Sequence, residues 1–211
     1  MSTNTINQPD IHYHIGDLPK DVTFGSSIAI DTETQGLNLG RDRLCVVQMS
    51  AGDGDAHLVH FPTPDFSAPN LKRVLSDPAS TKIFHYARFD VAAIEKYLGV
   101  VCAPLFCTKI ASRLTRTYTD RHGLKDLCRE LLGVELSKEQ QSSDWAAAEL
   151  TPAQQAYAAS DVLYLHALRD SLAERLEREG RSSLAEACFN FLPTRATLDQ
   201  EGWGELDIFA H

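Results

Sequence analysis

The sequence predicts a mixed-sheet α/β or α+β domain with helices packed on its faces. Three observations support this. Short apolar runs of strand type occupy the first half of the chain, and helical periodicity takes over in the second half. Two of the runs flank the turn Ala51-Gly52-Asp53-Gly54-Asp55, which reads as a hairpin. The chain has 211 residues, 43% of them hydrophobic and 23% charged, which is enough for one soluble domain with a real core.

The elements follow in order. Residues 1–20 read as a leader, either loose or packed at an edge. Residues 28–31 form a short apolar strand, residues 44–49 a second and residues 56–61 a third, the last two making the hairpin. Pro62, Pro64 and Pro69 break the pattern before a short helix over residues 70–75. Residues 82–84 form a fourth strand, a helix spans residues 90–98, and residues 104–107 are a candidate fifth strand. Leu124, Leu127, Cys128, Leu131 and Leu132 fall at i, +3, +4, +7 and +8, which is one apolar helix face, and Gly133 stands where a C′ glycine belongs. Thr151, Pro152 and Gln154 are an N-cap, a first-turn proline and the far end of a capping box. The helix they start is expected to run to about residue 176 and end near Gly180. The domain is therefore assigned to residues 21–180, with residues 181–211 as a C-terminal extension packing back on it.

Composition excludes several classes of function. No apolar run approaches the ~20 residues that span a bilayer. The opening MSTNTINQPD has neither a basic n-region nor an apolar h-region, so the protein is expected in the cytoplasm, away from membranes. The five cysteines show no C-x-x-C pair and read as free thiols in a reducing compartment. The eight histidines show no metal-ligand spacing, which makes zinc improbable. The net charge of 20 − 29 = −9 argues against a broad basic face that coats nucleic acid. It leaves room for an enzyme that meets phosphate through bound cations, since such a site needs carboxylates.

Four acids stand where a plain fold would not want them. Asp31 and Glu33 are i and i+2 on a strand, so their side chains share a side and repel. Asp161 lies in a largely apolar helix, one turn after Tyr157. Asp90 follows Phe89 and precedes an apolar helical run. Each has an ordinary explanation taken alone: a strand ending in a polar turn, a solvent stripe, an N-cap. Converging on one point, the four need cations. Two Mg²⁺ or Mn²⁺ ions ~3.5–4 Å apart are the standard apparatus for in-line attack at phosphate.

The three segments Asp31-Thr32-Glu33-Thr34, His85-Tyr86-Ala87-Arg88-Phe89-Asp90 and Tyr157-Ala158-Ala159-Ser160-Asp161 resemble the exonuclease motifs of the DEDD superfamily of 3′-5′ exonucleases, in the subgroup with a catalytic tyrosine. The linking stretches His122-Gly123-Leu124-Lys125-Asp126-Leu127, Leu131-Leu132-Gly133-Val134-Glu135-Leu136 and Ser143-Asp144-Trp145 are similar to ribonuclease D, and the likeness covers about residues 24–176. The resemblance implies a ribonuclease H-like mixed sheet flanked by helices. It implies that Asp31, Glu33 and Asp161 hold one divalent ion, that Asp31 and Asp90 hold a second, and that Tyr157 orients the attacking water. Ala156 stands where a histidine version of the third motif would begin, which excludes that version. About 35 residues remain after the catalytic region, too few for the helical nucleic-acid-binding domains that ribonuclease D usually carries.

The implied partner is RNA with a single-stranded 3′ end, such as a tRNA precursor, which would be shortened by release of nucleoside 5′-monophosphates. DNA is the alternative substrate, and a catalytically silent nucleic-acid-binding scaffold is an alternative of another class. Candidate substrate contacts are Thr32, Leu37, His85, Arg88, Lys109 and Arg113. Lys109 and Arg113 belong to a basic cluster with Arg116, Arg121 and Lys125, which is either a phosphate-contacting patch or a solvated surface. Tyr86 replaces the asparagine that often follows the histidine of the second motif, which puts its effect on the sugar pocket in question. The aromatic tail from Cys188 to Gly204 is expected to pack on the domain, and the protein to be a monomer or a homodimer.

Overall fold

The computed structural model describes residues 9–137, 139–140 and 142–211. Six strands form one mixed sheet in the order β1-β4-β3-β2-β5-β6. β2 (Ser27–Thr34), β3 (Leu44–Ser50) and β4 (Ala56–His60) are an antiparallel meander. β5 (Thr81–Phe84) and β6 (Leu105–Cys107) extend it in parallel beyond β2. β3 is buried along its whole length, which explains its near-continuous apolar sequence.

β1 (Ile11–Ile15) lies within the residues read as a leader and pairs in parallel with β4. Its residues alternate Ile, His, Tyr, His, Ile, a period of two that marks a strand and that the leader reading passed over. Tyr13 bonds His60 Nδ1 at 2.5 Å, while His12 and His14 stack on His57. These contacts, all made across the ladder, hold the edge strand in place.

The helices differ from expectation at four points. α1 (Pro69–Leu75) starts as expected, but α2 (Ala87–Leu98) begins three residues before Asp90. α3 (Thr108–Thr115) follows β6 directly. α4 (Leu124–Leu127) passes into a π turn over Cys128–Leu132, which ends at Gly133 in the left-handed region, φ 69°. The single long helix expected from residue 152 is two helices, α5 (Pro152–Leu163) and α6 (Leu165–Arg178), with Tyr164 at the junction. The cause is tertiary: α5 packs across β1 to β4, whereas α6 turns onto α3, α7 and β5.

α7 (Ser182–Leu198) packs against α2, β6, α3 and α6, and a π turn over Asp199–Trp203 follows. Phe189 of α7 meets Phe106 of β6 with ring centroids 4.8 Å apart. Trp203, Leu206, Ile208 and Phe209 remain exposed. Cys45, Cys102, Cys107 and Cys128 are buried free thiols, and Cys188 is a half-buried one. No helix among the described residues is long and apolar enough to cross a membrane.

Candidate active site

β2 carries the first two acids. Its period of two puts Asp31 and Glu33 on one face, and the register with β3 shifts between Glu33 and Thr34. That irregularity ends regular pairing right after the second acid. α5 brings in the third acid. Its start is fixed by a complete capping box, with Thr151 Oγ1 accepting from Gln154 N and the Gln154 side chain accepting from Thr151 N. Asp161 and Tyr157 share a face one turn apart along it. Oxygens of Asp31, Glu33 and Asp161 all lie within 4.8 Å of one another, and this is the one such group of potential metal ligands among the described residues.

Asp90 approaches from α2. It is 4% exposed and accepts from Thr32 N at 3.1 Å and Thr32 Oγ1 at 2.7 Å. Its carboxyl is therefore turned toward β2 and does not cap its own helix. The N-cap position belongs to Tyr86, with left-handed backbone angles φ 65° and ψ 44°. Gln48, from the middle of β3, donates to Asp31 Oδ2 at 2.9 Å. Sequence reasoning missed Gln48, although a lone amide in a buried apolar strand signals a polar partner nearby.

All four carboxyls are pushed up. Asp31 rises well above the carboxylate range, first through burial and then through the charges of Asp90, Asp161 and Glu33. Glu33 rises to about 9 through burial, Asp161 and Asp90. Asp90 and Asp161 rise to about 7, burial leading in both, with the Thr32 hydrogen bonds pulling Asp90 back. The four cannot all ionise side by side without a counter-charge. A hard divalent cation suits this all-oxygen donor set and its raised basicity. Burial, followed by Asp161, Glu33 and Asp31, also raises the Tyr157 phenol, so it keeps its proton at neutral pH. His85 is held down to about 3 by burial and by Lys109, and its Nδ1 lies 2.9 Å from Thr108 Oγ1. It is therefore a neutral ring at physiological pH.

The acids lie on a cleft of about 910 Å³ that is also lined by Leu37, His85, Tyr86, Phe89, Lys125, Trp145 and Tyr157. A second lobe of about 810 Å³ continues from it, between residues 37–40, α2 and the turn after α7. Leu37 is 85% exposed at the lip, whereas Leu39 packs on the core.

Two of the expected substrate contacts make protein hydrogen bonds as well as lining the cleft. Thr32 is 7% exposed and gives both its donors to Asp90, so it positions that acid. Arg88 is tied to the C-terminal turn: its Nη2 donates to Asp199 Oδ1 and to Gly204 O, both at 2.7 Å, and its Nε to Asp199 Oδ2. The partner that holds it lies 111 residues away, and no local sequence signal announces it. The basic cluster also divides. Arg116 is fully buried and paired with Glu130, whereas Arg113 and Arg121 are exposed, Lys125 lines the cleft and Lys109 lies over the Tyr86 ring.

Comparison with known proteins agrees with this fold. The pattern of the 3′-5′ exonuclease family matches residues 14–177. Ribonuclease D of Gluconacetobacter diazotrophicus is 37% identical over 154 residues, which is 73% of this chain and 39% of that protein. The chain thus spans about two fifths of the length of the curated relatives it matches. Among solved structures, Brucella melitensis NrnC is 59% identical with a TM-score of 0.93, covering 96% of this chain and 98% of that one. NrnC has also been solved bound to pGG and with bound Mg²⁺. Escherichia coli RNase D, described as an exoribonuclease involved in structured RNA processing, is 29% identical with a TM-score of 0.71 and covers 81% of this chain and 45% of that one.

Proposed function

The chain belongs to the 3′-5′ exonuclease family, hydrolases of nucleic-acid phosphodiester bonds, and from that premise we propose that it is a metal-dependent exoribonuclease. It removes nucleoside 5′-monophosphates from RNA 3′ ends. The observation that carries this reading is the convergence of Asp31, Glu33 and Asp161 within 4.8 Å on the cleft. The likeness to NrnC extends over nearly that whole protein, and NrnC binds pGG. That to E. coli RNase D covers less than half of its length. This difference favours very short RNA over the structured ends of tRNA precursors as the main substrate.

Each residue has a role in this reading. Asp31, Glu33 and Asp161 would hold one Mg²⁺ or Mn²⁺ ion, and Asp31 with Asp90 a second. Bound there, such ions would supply Lewis-acid charge for activating the attacking water and for offsetting the leaving 3′-oxygen. Gln48 and Thr32 fix the directions of Asp31 and Asp90 through their hydrogen bonds. Tyr157, which keeps its proton, orients the attacking water through its hydroxyl and does not act as the base. His85 contacts the nucleotide as a neutral ring, and Lys125 supplies cationic charge on the cleft wall.

The test uses 5′-labelled RNA, DNA of the same sequence and the dinucleotide pGG, each with Mg²⁺, Mn²⁺ or EDTA, beside Asp31→Ala. The expected result is metal-dependent shortening of RNA from the 3′ end and cleavage of pGG, both absent in the variant. Cleavage of DNA alone, or binding without cleavage of any substrate, would overturn the reading.

A further inference from the structure

The ridge between the two lobes of the cleft has no part in the metal assignment. The residues common to both lobes are Leu37, Tyr86 and Phe89, all apolar or aromatic. Tyr86 has the most unusual environment of the three. Its backbone is left-handed at φ 65°, a conformation that strains a bulky L-residue. Its side chain gains little from burial in return, since the residue is 46% exposed. No partner among the described residues hydrogen-bonds its hydroxyl. One face of the ring carries Lys109, whose Nζ sits 4.0 Å from the centroid, which fixes the plane of the ring and adds a cation beside it. Strain held at a cleft lip by an exposed, oriented ring points to a use for the ring itself.

The path of a nucleic acid gives that use. The acids that would engage the scissile phosphate line the inner lobe, where Leu136, Trp145 and Tyr157 form further wall. The nucleotide being removed enters there. The shared ridge of Leu37, Tyr86 and Phe89 joins that lobe to the outer one, which offers room for the chain on the 5′ side of the scissile phosphate. We propose that Tyr86 is a stacking platform for the nucleobase on the 5′ side of the scissile phosphate, and that the outer lobe is the subsite of that nucleotide. The Arg88–Asp199 ion pair holds the C-terminal turn as the far wall of this subsite. This inference rests on the exonuclease reading.

The experiment is a double-mutant cycle on a 5′-phosphorylated diribonucleotide in Mg²⁺. Wild type, Tyr86→Ala, Tyr86→Phe and Tyr86→Gly are compared on the intact substrate and on analogues lacking the 5′ base or the 3′ base. Tyr86→Ala is expected to lower kcat/KM on the intact substrate by on the order of tenfold, mainly through KM, and to cost little once the 5′ base is absent. Tyr86→Phe keeps the ring and stays near wild type. Tyr86→Gly relieves the backbone and unfolds at higher temperature, yet loses kcat/KM as Tyr86→Ala does. An equal loss with and without the 5′ base, or coupling to the 3′ base, would overturn the assignment.

A binding measurement keeps the two readings separable. A dinucleotide with 2-aminopurine as its 5′ base is titrated in Ca²⁺ into wild type and Tyr86→Ala. Quenching by wild type that disappears in the variant supports stacking, and no difference between them rejects it, whatever the turnover. Cleavage of pGG by wild type without coupling at Tyr86 leaves the exonuclease reading standing and removes this one.

Discussion

At Asp31 the carboxyl is pushed up by burial and by three neighbouring acids, so in the metal-free protein it is a local source of repulsion. Asp31→Asn keeps the Gln48 contact within reach and removes that repulsion. Activity should fall by about 10³-fold or more, the several kcal/mol that metal-assisted charge stabilisation supplies, while the unfolding temperature in EDTA should rise. A lower unfolding temperature in EDTA would count against the electrostatic account. Tyr157→Phe should lower kcat by about 10²-fold, the scale of a misplaced reactant, without changing the shape of the pH-rate profile below pH 9, because the phenol stays protonated there. A profile limb that vanishes with the hydroxyl would make Tyr157 a base after all. Spacing alone puts Asp31 with Glu33, and Tyr157 with Asp161, on common faces, whereas the grouping of all four acids with the tyrosine was read from the resemblance to the exonuclease motifs. The use of Arg88 was not legible at this scale, because only the folded chain brings Asp199 to it.

Among the elements, α5 presents two site residues from a helix whose start is set by Thr151. Thr151→Ala should cost about 1 kcal/mol of stability, read by chemical denaturation, with kcat falling as the first turn frays. An unchanged denaturation midpoint would show that the sheet alone fixes the helix. The turn after α7 is held differently, by Arg88 and Arg195 on Asp199, with side-chain exposures of 34%, 20% and 17%. Asp199→Ala should cost about 1 kcal/mol, a modest value for pairs partly open to water, and should speed trypsin cleavage at Arg195. Equal cleavage rates would show that the packing of α7 suffices. The capping box marked the start of α5 plainly, and the hairpin turn marked β3 and β4. The break at Tyr164 and the early start of α2 left no local mark, since apolar periodicity runs through the first and tertiary hydrogen bonding draws Asp90 away from capping in the second.

For the molecule as a whole, the raised carboxyls link folding to pH and to metal. In the unfolded chain these groups titrate near ~4. In the metal-free fold Asp90 and Asp161 titrate at about 7 and Glu33 at about 9. As pH rises from about 4, the unfolded state gives up protons that the fold retains, so stability falls with rising pH across that window. The unfolding temperature in EDTA should therefore drop between pH 5 and pH 8.5, by the sign of these shifts. Mg²⁺ should restore it, with a larger effect at the higher pH, because cation binding favours the ionised acids of the fold alone. A metal-free stability that rises over this range would mean that the four acids do not face one another.

By itself the sequence determined the class of fold, the placing of Asp31 with Glu33 on one strand face and of Tyr157 with Asp161 on one helix face, and the capping-box and hairpin signals. These follow from local periods, caps and turns, which act over a few residues. Only the tertiary structure decided that residues 11–15 pair with β4 at the sheet edge, that Thr32 and Gln48 hold the acids in place, that Arg88 clamps the C-terminal turn, and that Tyr86 stands strained between two lobes. Each of these depends on a partner remote in sequence or on a backbone conformation that local preference disfavours, and packing of the whole chain supplies both.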